Sequence, residues 1–260
     1  MITDSFDILH PGQWFGPKSG TADPAVQLDL SSNKAKLLAL CDELKQGHFQ
    51  ARTPLETFIL GCDDYEVRRQ AIRLYCFVAR HEDIAFIGHL AERFEHDDVE
   101  TIAVTAPDTL SPKIIPYLLA LLKPYEGTAI ERNILSSVNM LFPFGHDGSQ
   151  VMVSDLRGRF AGLAQKLQPG RYYFKGVLAF PGTWTKELIE AAAHARHNNT
   201  RFPLLHIPTL LSISSGERCP VFHGDTVDDA TFQSILDYVK LLSRMSWNPG
   251  MKYFYHHPLS

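Results

Sequence analysis

Helix-start signals recur along the first half of this sequence at a nearly constant interval. The equivalent apolar positions Val67, Val99 and Ile130 are 32 and 31 residues apart. Apolar runs that begin at Ile84 and Ile114 fall between them and are 30 residues apart. Two helices in each interval predict stacked helical hairpins, because one hairpin cannot bury its apolar stripe without a neighbour. The period therefore predicts an all-α fold built as an α-solenoid, and the alternative is an irregular helical bundle.

The first of these repeats also carries a recognisable local motif. Residues 64–71 (DYEVRRQA) resemble the second helix of a HEAT repeat, in which an Asp begins the helix, a Val points inward and an Arg runs along the stack. In the next two repeats Glu100 and Glu131 take the position of Arg68. The resemblance implies HEAT-like helical hairpins over residues 31–145.

The segment before these hairpins, residues 1–30, is expected to be irregular. Proline and glycine occupy six positions between 11 and 24, a density of helix breakers that a helix does not tolerate. Trp14 and Phe15 are the large apolar side chains inside this stretch. We expect them to pack the segment onto the body of the protein.

The remaining residues, 146–260, are less regular and are expected to be helical and continuous with the same domain. Helices are predicted over 154–167, over 185–197 and from Asp229 to about residue 244. Residues 171–180 (RYYFKGVLAF) are rich in aromatic and β-branched side chains, so they fit a short strand as well as a helix. The C-terminal part is therefore the least defined region of the predicted fold.

Charge and cysteine usage restrict the function classes. A net charge of −4 argues against a general nucleic-acid or anionic-membrane binder, although Arg68, Arg69 and Arg73 could form a local basic patch. The four cysteines form no C-x-x-C pair, so neither a disulfide framework nor a zinc ribbon is indicated. No secretion signal and no membrane-spanning apolar run is present, and a cytoplasmic location without membrane contact is expected.

Motifs for catalysis are missing from the sequence. It contains no G-x-S-x-G elbow, P-loop, dinucleotide fingerprint or H-E-x-x-H pair. The serine-rich stretch 212–216 (SISSG) is interpreted as a loop after a helix rather than a nucleophile site. We therefore expect no catalytic residues, and a protein that is not an enzyme.

Potential metal ligands occur in two places without a matching second pair. Zinc favours cysteine and histidine ligands at such short spacings, but structural sites need four of them. Histidines and cysteines in ordinary structural positions explain both groups better than a metal site, and no cofactor is expected. The two groups are Cys219, His223 and Asp225 in one segment, and His194 with His197 on a predicted helix.

Acidic side chains concentrate at the predicted helix starts. Capping of exposed amides and the helix dipole explain such pairs in structural terms. In a solenoid, equivalent turns align along one edge, so the same residues could form an acidic ridge that attracts a basic partner. The predicted partner surface comprises Asp63, Asp64, Glu66, Glu92, Glu95, Asp97, Asp98 and Glu100, together with Trp247, Tyr253 and Tyr255 of the aromatic tail.

The two ends of the chain carry a family resemblance. Residues 9–16 (LHPGQWFG), the degenerate helical repeats and residues 250–256 (GMKYFYH) resemble bacterial immunity proteins encoded beside polymorphic or contact-dependent growth-inhibition toxins. The resemblance implies a protein that blocks a toxin domain, often a nuclease, inside the producing cell, in a one-to-one complex and without contacting nucleic acid itself. Such toxins are commonly basic, which suits an acidic inhibitor.

Two other functions remain open from the sequence. One is a HEAT-like enzyme or binding module that acts on nucleic acid or a small ligand, which would need a local basic groove. The other is a generic scaffold. Toxin inhibition by occlusion of the toxin's working surface is the favoured hypothesis.

Overall fold

The computed structural model describes residues 15–18, 32–94, 96–144 and 153–259. Within them the fold is mostly helical, with short strands in two hairpins. The elements are α1 (Asn33–Lys45), α2 (Arg52–Gly61), α3 (Tyr65–Val78), α4 (Ile84–Arg93), α5 (His96–Thr105), α6 (Ile115–Leu121), α7 (Ala129–Leu141), α8 (Val153–Ala164), β1 (Tyr173–Phe174), β2 (Val177–Leu178), α9 (Pro181–His197), α10 (Ile207–Ser215), α11 (Asp229–Leu242), β3 (Lys252–Phe254) and β4 (His257–Leu259).

The chain divides into two compact units. The central unit comprises Ala71–Ala179. The terminal unit combines Met1–Gln70 with Phe180–Leu259, so it draws on two segments that are distant in sequence. The boundaries after residues 30 and 145 stay a prediction, because sequence periodicity does not reveal which distant segments pack against each other.

The helices predicted from the period are present in the central unit. Helices α3, α5 and α7 are linked by contacts about one repeat apart: the Cys76 thiol lies 3.5 Å from the Thr105 hydroxyl, and Ser137 Oγ donates to the Ala103 carbonyl at 2.5 Å. Between them, Tyr117 of α6 lies against Gly88 of α4, which leaves no room for a Cβ at that glycine. An all-α core is therefore confirmed, with buried apolar faces on helices one repeat apart.

Residues 171–180 form a β-hairpin, which decides between the two sequence interpretations in favour of strand. β1 and β2 pair antiparallel, with Phe174 opposite Val177. The two turn residues Lys175 and Gly176 have φ values of +51° and +78°, as the tight hairpin turns that match strand twist require. The partner strand lay inside the same ten residues, so no distant strand was needed.

In the terminal unit, α9 and α10 run further than predicted. α9 begins at Pro181 rather than residue 185, because proline suits the first helical position, where no backbone donor is needed. The interpretation of residues 212–216 as a loop is wrong for its first four residues. Ser212 and Ser215 belong to α10, where their hydroxyls donate to the carbonyls of Pro208 and Leu211 at 2.7 Å.

The aromatic C-terminus folds back as the hairpin β3–β4 and meets the N-terminal segment within the terminal unit. The Phe15 ring is buried 6.2 Å from the Phe254 ring, which confirms the expected packing for Phe15. Tyr255 Oη donates to the Gly16 carbonyl at 2.6 Å. Trp14 lies outside the described residues.

No helix in the described parts of the chain is both long and apolar enough to cross a membrane.

Candidate partner-binding surfaces

The predicted acidic residues of the central unit differ in their exposure. The Glu92 carboxylate is 76% exposed, 3.6 Å from His89, and Asp97 is also exposed at the start of α5. Asp98 is only 2% exposed, because the first turn of α5 points it inward, and its predicted contact with a partner stays a prediction. Glu100 is half-buried and accepts a hydrogen bond from Asn133 at 3.3 Å.

Glu95 lies outside the described residues. Among the predicted acidic residues of this unit, Glu92 and Asp97 therefore have exposed carboxylates that a partner can reach.

The acidic residues of the terminal unit lie at the end of α2 and the start of α3. Asp63 is exposed and accepts a hydrogen bond from the Asn33 amide at 3.0 Å. Asp64 caps α3 by accepting from the Val67 amide at 3.1 Å, as its position before the helix predicts. Glu66 is exposed, 4.0 Å from the Arg69 guanidinium. These three carboxylates can meet solvent or a partner, and their continuity with the central unit as one ridge stays a prediction.

The arginines considered as a basic patch are held by local contacts. Arg68 donates to the Cys62 carbonyl at 2.8 Å, and Arg69 lies beside Glu66. Arg73 is 5% exposed and lies 3.9 Å from Asp108. The predicted patch is therefore wrong for Arg73, which burial removes from the surface.

The aromatic tail contributes to the core more than to the surface. The predicted contact of Tyr253 and Tyr255 with a partner stays a prediction, and in this structure Tyr253 is 7% exposed and Tyr255 is fully buried. The reason is the hairpin turn, which drives Tyr255 against the end of α10 and the N-terminal segment. Trp247 is half-buried, with its indole donating to the Leu242 carbonyl at 3.0 Å and its ring edge-on to Tyr253. Of the three tail residues, Trp247 keeps an accessible face.

Sequence reasoning did not find an open groove in the central unit. It lies between α8 and the chain that follows α7, and it encloses about 750 Å³. Two cations, Arg159 and Lys166, line it, and no Asp or Glu is among its described lining residues. The α8 glycines Gly158 and Gly162 form one wall, while Phe142, Pro143, Phe144 and Leu163 supply apolar surface.

The chain was compared with known proteins. A family model described as immunity protein 47 matches residues 10–259. The chain belongs to the immunity protein 47 family. No curated protein and no solved structure gives a significant match.

This membership confirms the resemblance identified from residues 9–16 and 250–256. The structure brings together the described ends of those segments, since Phe15 and Gly16 touch Phe254 and Tyr255. In this member of the immunity protein 47 family, the described parts of the two motifs therefore pack against each other within the terminal unit. Among the described residues of these motifs, the side chains of Phe15, Phe254 and Tyr255 are buried and stabilise the fold.

In this immunity protein, the candidate metal ligands of the segment 219–225 are buried or close to polar groups of the fold. The Cys219 thiol is buried, and burial raises its pKa to about 12. His223 Nδ1 lies 3.1 Å from the Pro203 carbonyl, and the Asp225 carboxylate accepts from the Phe222 amide at 2.8 Å. Within the described ranges, no group of three or more His, Cys, Asp and Glu side chains is placed to hold a metal ion.

Proposed function

We propose that this chain neutralises a cognate bacterial toxin by binding it and occluding its working surface. The observation that carries the proposal is the immunity protein 47 match over residues 10–259, which spans both units. The proposed toxin is a basic nuclease domain, held one-to-one in the cytoplasm of the producing cell. The proposed architecture for this task is a HEAT-like stack in the central unit, whose turns present side chains along an edge.

Electrostatics support a basic partner. The chain has a net charge of −4, and Asp63, Glu66, Glu92 and Asp97 project exposed carboxylates from helix ends and turns. Exposed charges of one sign accelerate association with an oppositely charged protein, and they contribute more to the rate of encounter than to final affinity. The proposed acidic residues therefore act as a steering surface rather than as the binding core.

The reactive side chains support binding rather than chemistry. Burial raises the pKa of the Cys41 thiol to about 12, as it does for Cys219, so neither forms a thiolate at neutral pH. The α10 hydroxyls of Ser212 and Ser215 donate to main-chain carbonyls. These groups stabilise the fold, and none is arranged as an activated nucleophile.

Co-expression tests the proposed function directly. The toxin domain encoded beside this gene is induced in a bacterial host with and without this chain, and survival is counted. We expect full growth only with the chain, and a stable complex of the two purified proteins. A toxin that kills equally in both cultures contradicts the proposal.

Charge reversal then tests steering. We expect Glu92→Lys with Asp97→Lys, and separately Asp63→Lys with Glu66→Lys, to slow association by about 3- to 10-fold at low salt, with less effect at high salt. Stopped-flow mixing measures the rate constant. The control is Glu190→Lys with Asp237→Lys, which changes the net charge equally at exposed sites outside the proposed ridge. Equal slowing by the control would show that net charge, and not the ridge, sets the rate.

A further inference from the structure

The groove beside α8 has a charge opposite to that of the whole protein. Arg159 and Lys166 line it, and both are exposed. Arg159 donates to the Phe144 carbonyl at 2.8 Å, which holds the guanidinium at the groove edge while leaving it further N–H donors. No carboxylate neutralises the two cations among the described lining residues. An acidic protein therefore presents a positively charged, partly apolar depression.

The contacts of the described residues do not account for the two α8 glycines of this groove. Gly158 and Gly162 lie inside α8, where glycine is the least favourable residue after proline. Neither has a positive φ, and a Cβ added to either would meet nothing within 4 Å. Within the described residues, no internal contact explains their small size. Their effect is to keep one wall of the groove open, since they are four residues apart and face the same side of the helix.

We propose that this groove receives a segment of the cognate toxin that carries carboxylate side chains next to a large apolar side chain. The inference rests on the proposed function. Arg159 and Lys166 would pair with the carboxylates, and Pro143, Phe144 and Leu163 would pack against the apolar group. The two glycines let the toxin backbone approach α8 closely.

The volume and the sparse charge favour a protein segment over a nucleic acid. About 750 Å³ is within the range of pockets that bury a small ligand, and it holds several side chains. Nucleic-acid binding depends on many phosphate contacts, whereas this groove offers two cations and an apolar floor. A locally acidic segment is compatible with a basic toxin, because the steering carboxylates lie on α4, α5 and the α2–α3 turn rather than in the groove.

Filling the groove tests the inference without weakening the helix. Gly162→Leu and Gly158→Leu each replace a poor helix former with a good one, so α8 is expected to persist. We expect either variant to weaken toxin binding by about 10- to 100-fold, measured by calorimetry with the toxin domain encoded beside the gene. Ala161→Leu is the matched control, since Ala161 is exposed on the same helix but does not line the groove. Circular dichroism and a thermal melt verify folding.

Charge reversal supplies the second measurement. Lys166→Glu is expected to weaken binding by about 10-fold or more, and Lys240→Glu, at an exposed lysine of α11, to leave it within about twofold. If Gly162→Leu and Lys166→Glu both bind the toxin with wild-type affinity, the groove assignment is overturned. The proposed function then still stands, because the toxin is bound. A wild-type chain that binds no toxin overturns both.

Two other occupants have distinct signatures. Binding of a labelled 20-nucleotide RNA that Lys166→Glu abolishes would assign the groove to nucleic acid and overturn the inference. A dimer in light scattering that Gly162→Leu converts to a monomer would assign it to a second copy of the chain and overturn it equally.

Discussion

The two hairpins, one in each unit, use the same backbone device with different residues. In the central unit Lys175 and Gly176 form the turn, and in the terminal unit Tyr255 and His256 do; all four have positive φ. Both pairs of turn amides donate to carbonyls in the last turn of a helix, where main-chain acceptors lack intrahelical partners. The acceptors are Met140 and Leu141 of α7 in the first case, and Ile213 and Ser214 of α10 in the second.

The difference lies in what enforces the turn. Glycine adopts positive φ without steric cost, so Gly176 supports the first turn through its own conformational freedom. Tyr255 and His256 lack that freedom, and a left-handed conformation costs an L-residue about 1–2 kcal/mol. Tyr255 is fully buried and its hydroxyl reaches the Gly16 carbonyl, so tertiary contacts offset the cost. A turn can therefore be dictated by packing where local sequence opposes it.

Removing the Tyr255 side chain is the strongest test of this contrast. We expect Tyr255→Ala to lower the free energy of unfolding by about 3–5 kcal/mol, because a large buried ring is lost while the strained turn remains. Urea denaturation measures the change. Lys175→Ala is the control at the equivalent position of the exposed turn, expected within about 0.5 kcal/mol. Equal effects at the two positions would contradict enforcement by packing.

Two glycine substitutions separate conformational strain from steric contact. Gly216 and Gly176 have φ values of +80° and +78°. A Cβ at Gly216 would lie 2.8 Å from the Tyr255 ring, whereas at Gly176 the nearest side-chain atom is 3.6 Å away. We expect Gly216→Ala to cost about 2–4 kcal/mol and Gly176→Ala about 1–2 kcal/mol, by urea denaturation. Equal costs would mean that the Tyr255 ring can shift freely.

The hydroxyl of Tyr255 contributes less than its ring. Burial raises its pKa, so the group stays protonated and remains a donor to the Gly16 carbonyl. Tyr255→Phe removes this one hydrogen bond, and we expect a loss of about 1 kcal/mol. Tyr117→Phe, at a half-exposed tyrosine of the central unit, is the control and should change stability little. A loss as large as that of Tyr255→Ala would mean that the hydrogen bond rather than packing anchors the turn.

These two turns also show how far sequence reasoning reached. The period of apolar positions located α3 to α7, because each of those helices buries a stripe that local spacing encodes. It left residues 171–180 undecided, since Lys-Gly is a weaker hairpin signal than Asn-Gly and the acceptor carbonyls lie about 35 residues earlier in the chain. No glycine marks Tyr255 and His256, so the hairpin was not predicted, and Tyr255 was assigned to the predicted partner surface.

The candidate surfaces show the same limit. The capping role of Asp64 followed from its position before an apolar helix, and the buried side chain of Asp98 did not, because its inward direction depends on the packing of α5. The groove beside α8 was not found because glycines inside a helix pattern do not reveal whether another element fills the space above them. Gly88 is covered by Tyr117, whereas Gly158 and Gly162 are open.

The smallest expected effect concerns pH, and it separates the hairpins by their titrating groups. His257, the first residue of β4, has its pKa lowered below the ordinary value of 6.5, chiefly by burial and further by electrostatic repulsion from Lys18, His256 and His48. The unfolded chain then binds more protons than the folded one near pH 6.5, so stability falls as the pH drops below that value. The β1–β2 hairpin contains no histidine.

Hydrogen exchange should therefore show the Tyr255 amide losing protection between pH 7 and 5.5 relative to the Lys175 amide, after correction for intrinsic exchange rates. His257→Gln should reduce that loss of protection. The control His194→Gln, at an exposed histidine of α9, should leave it unchanged. An equal loss of protection at both hairpins in the wild type would show that His257 does not cause it.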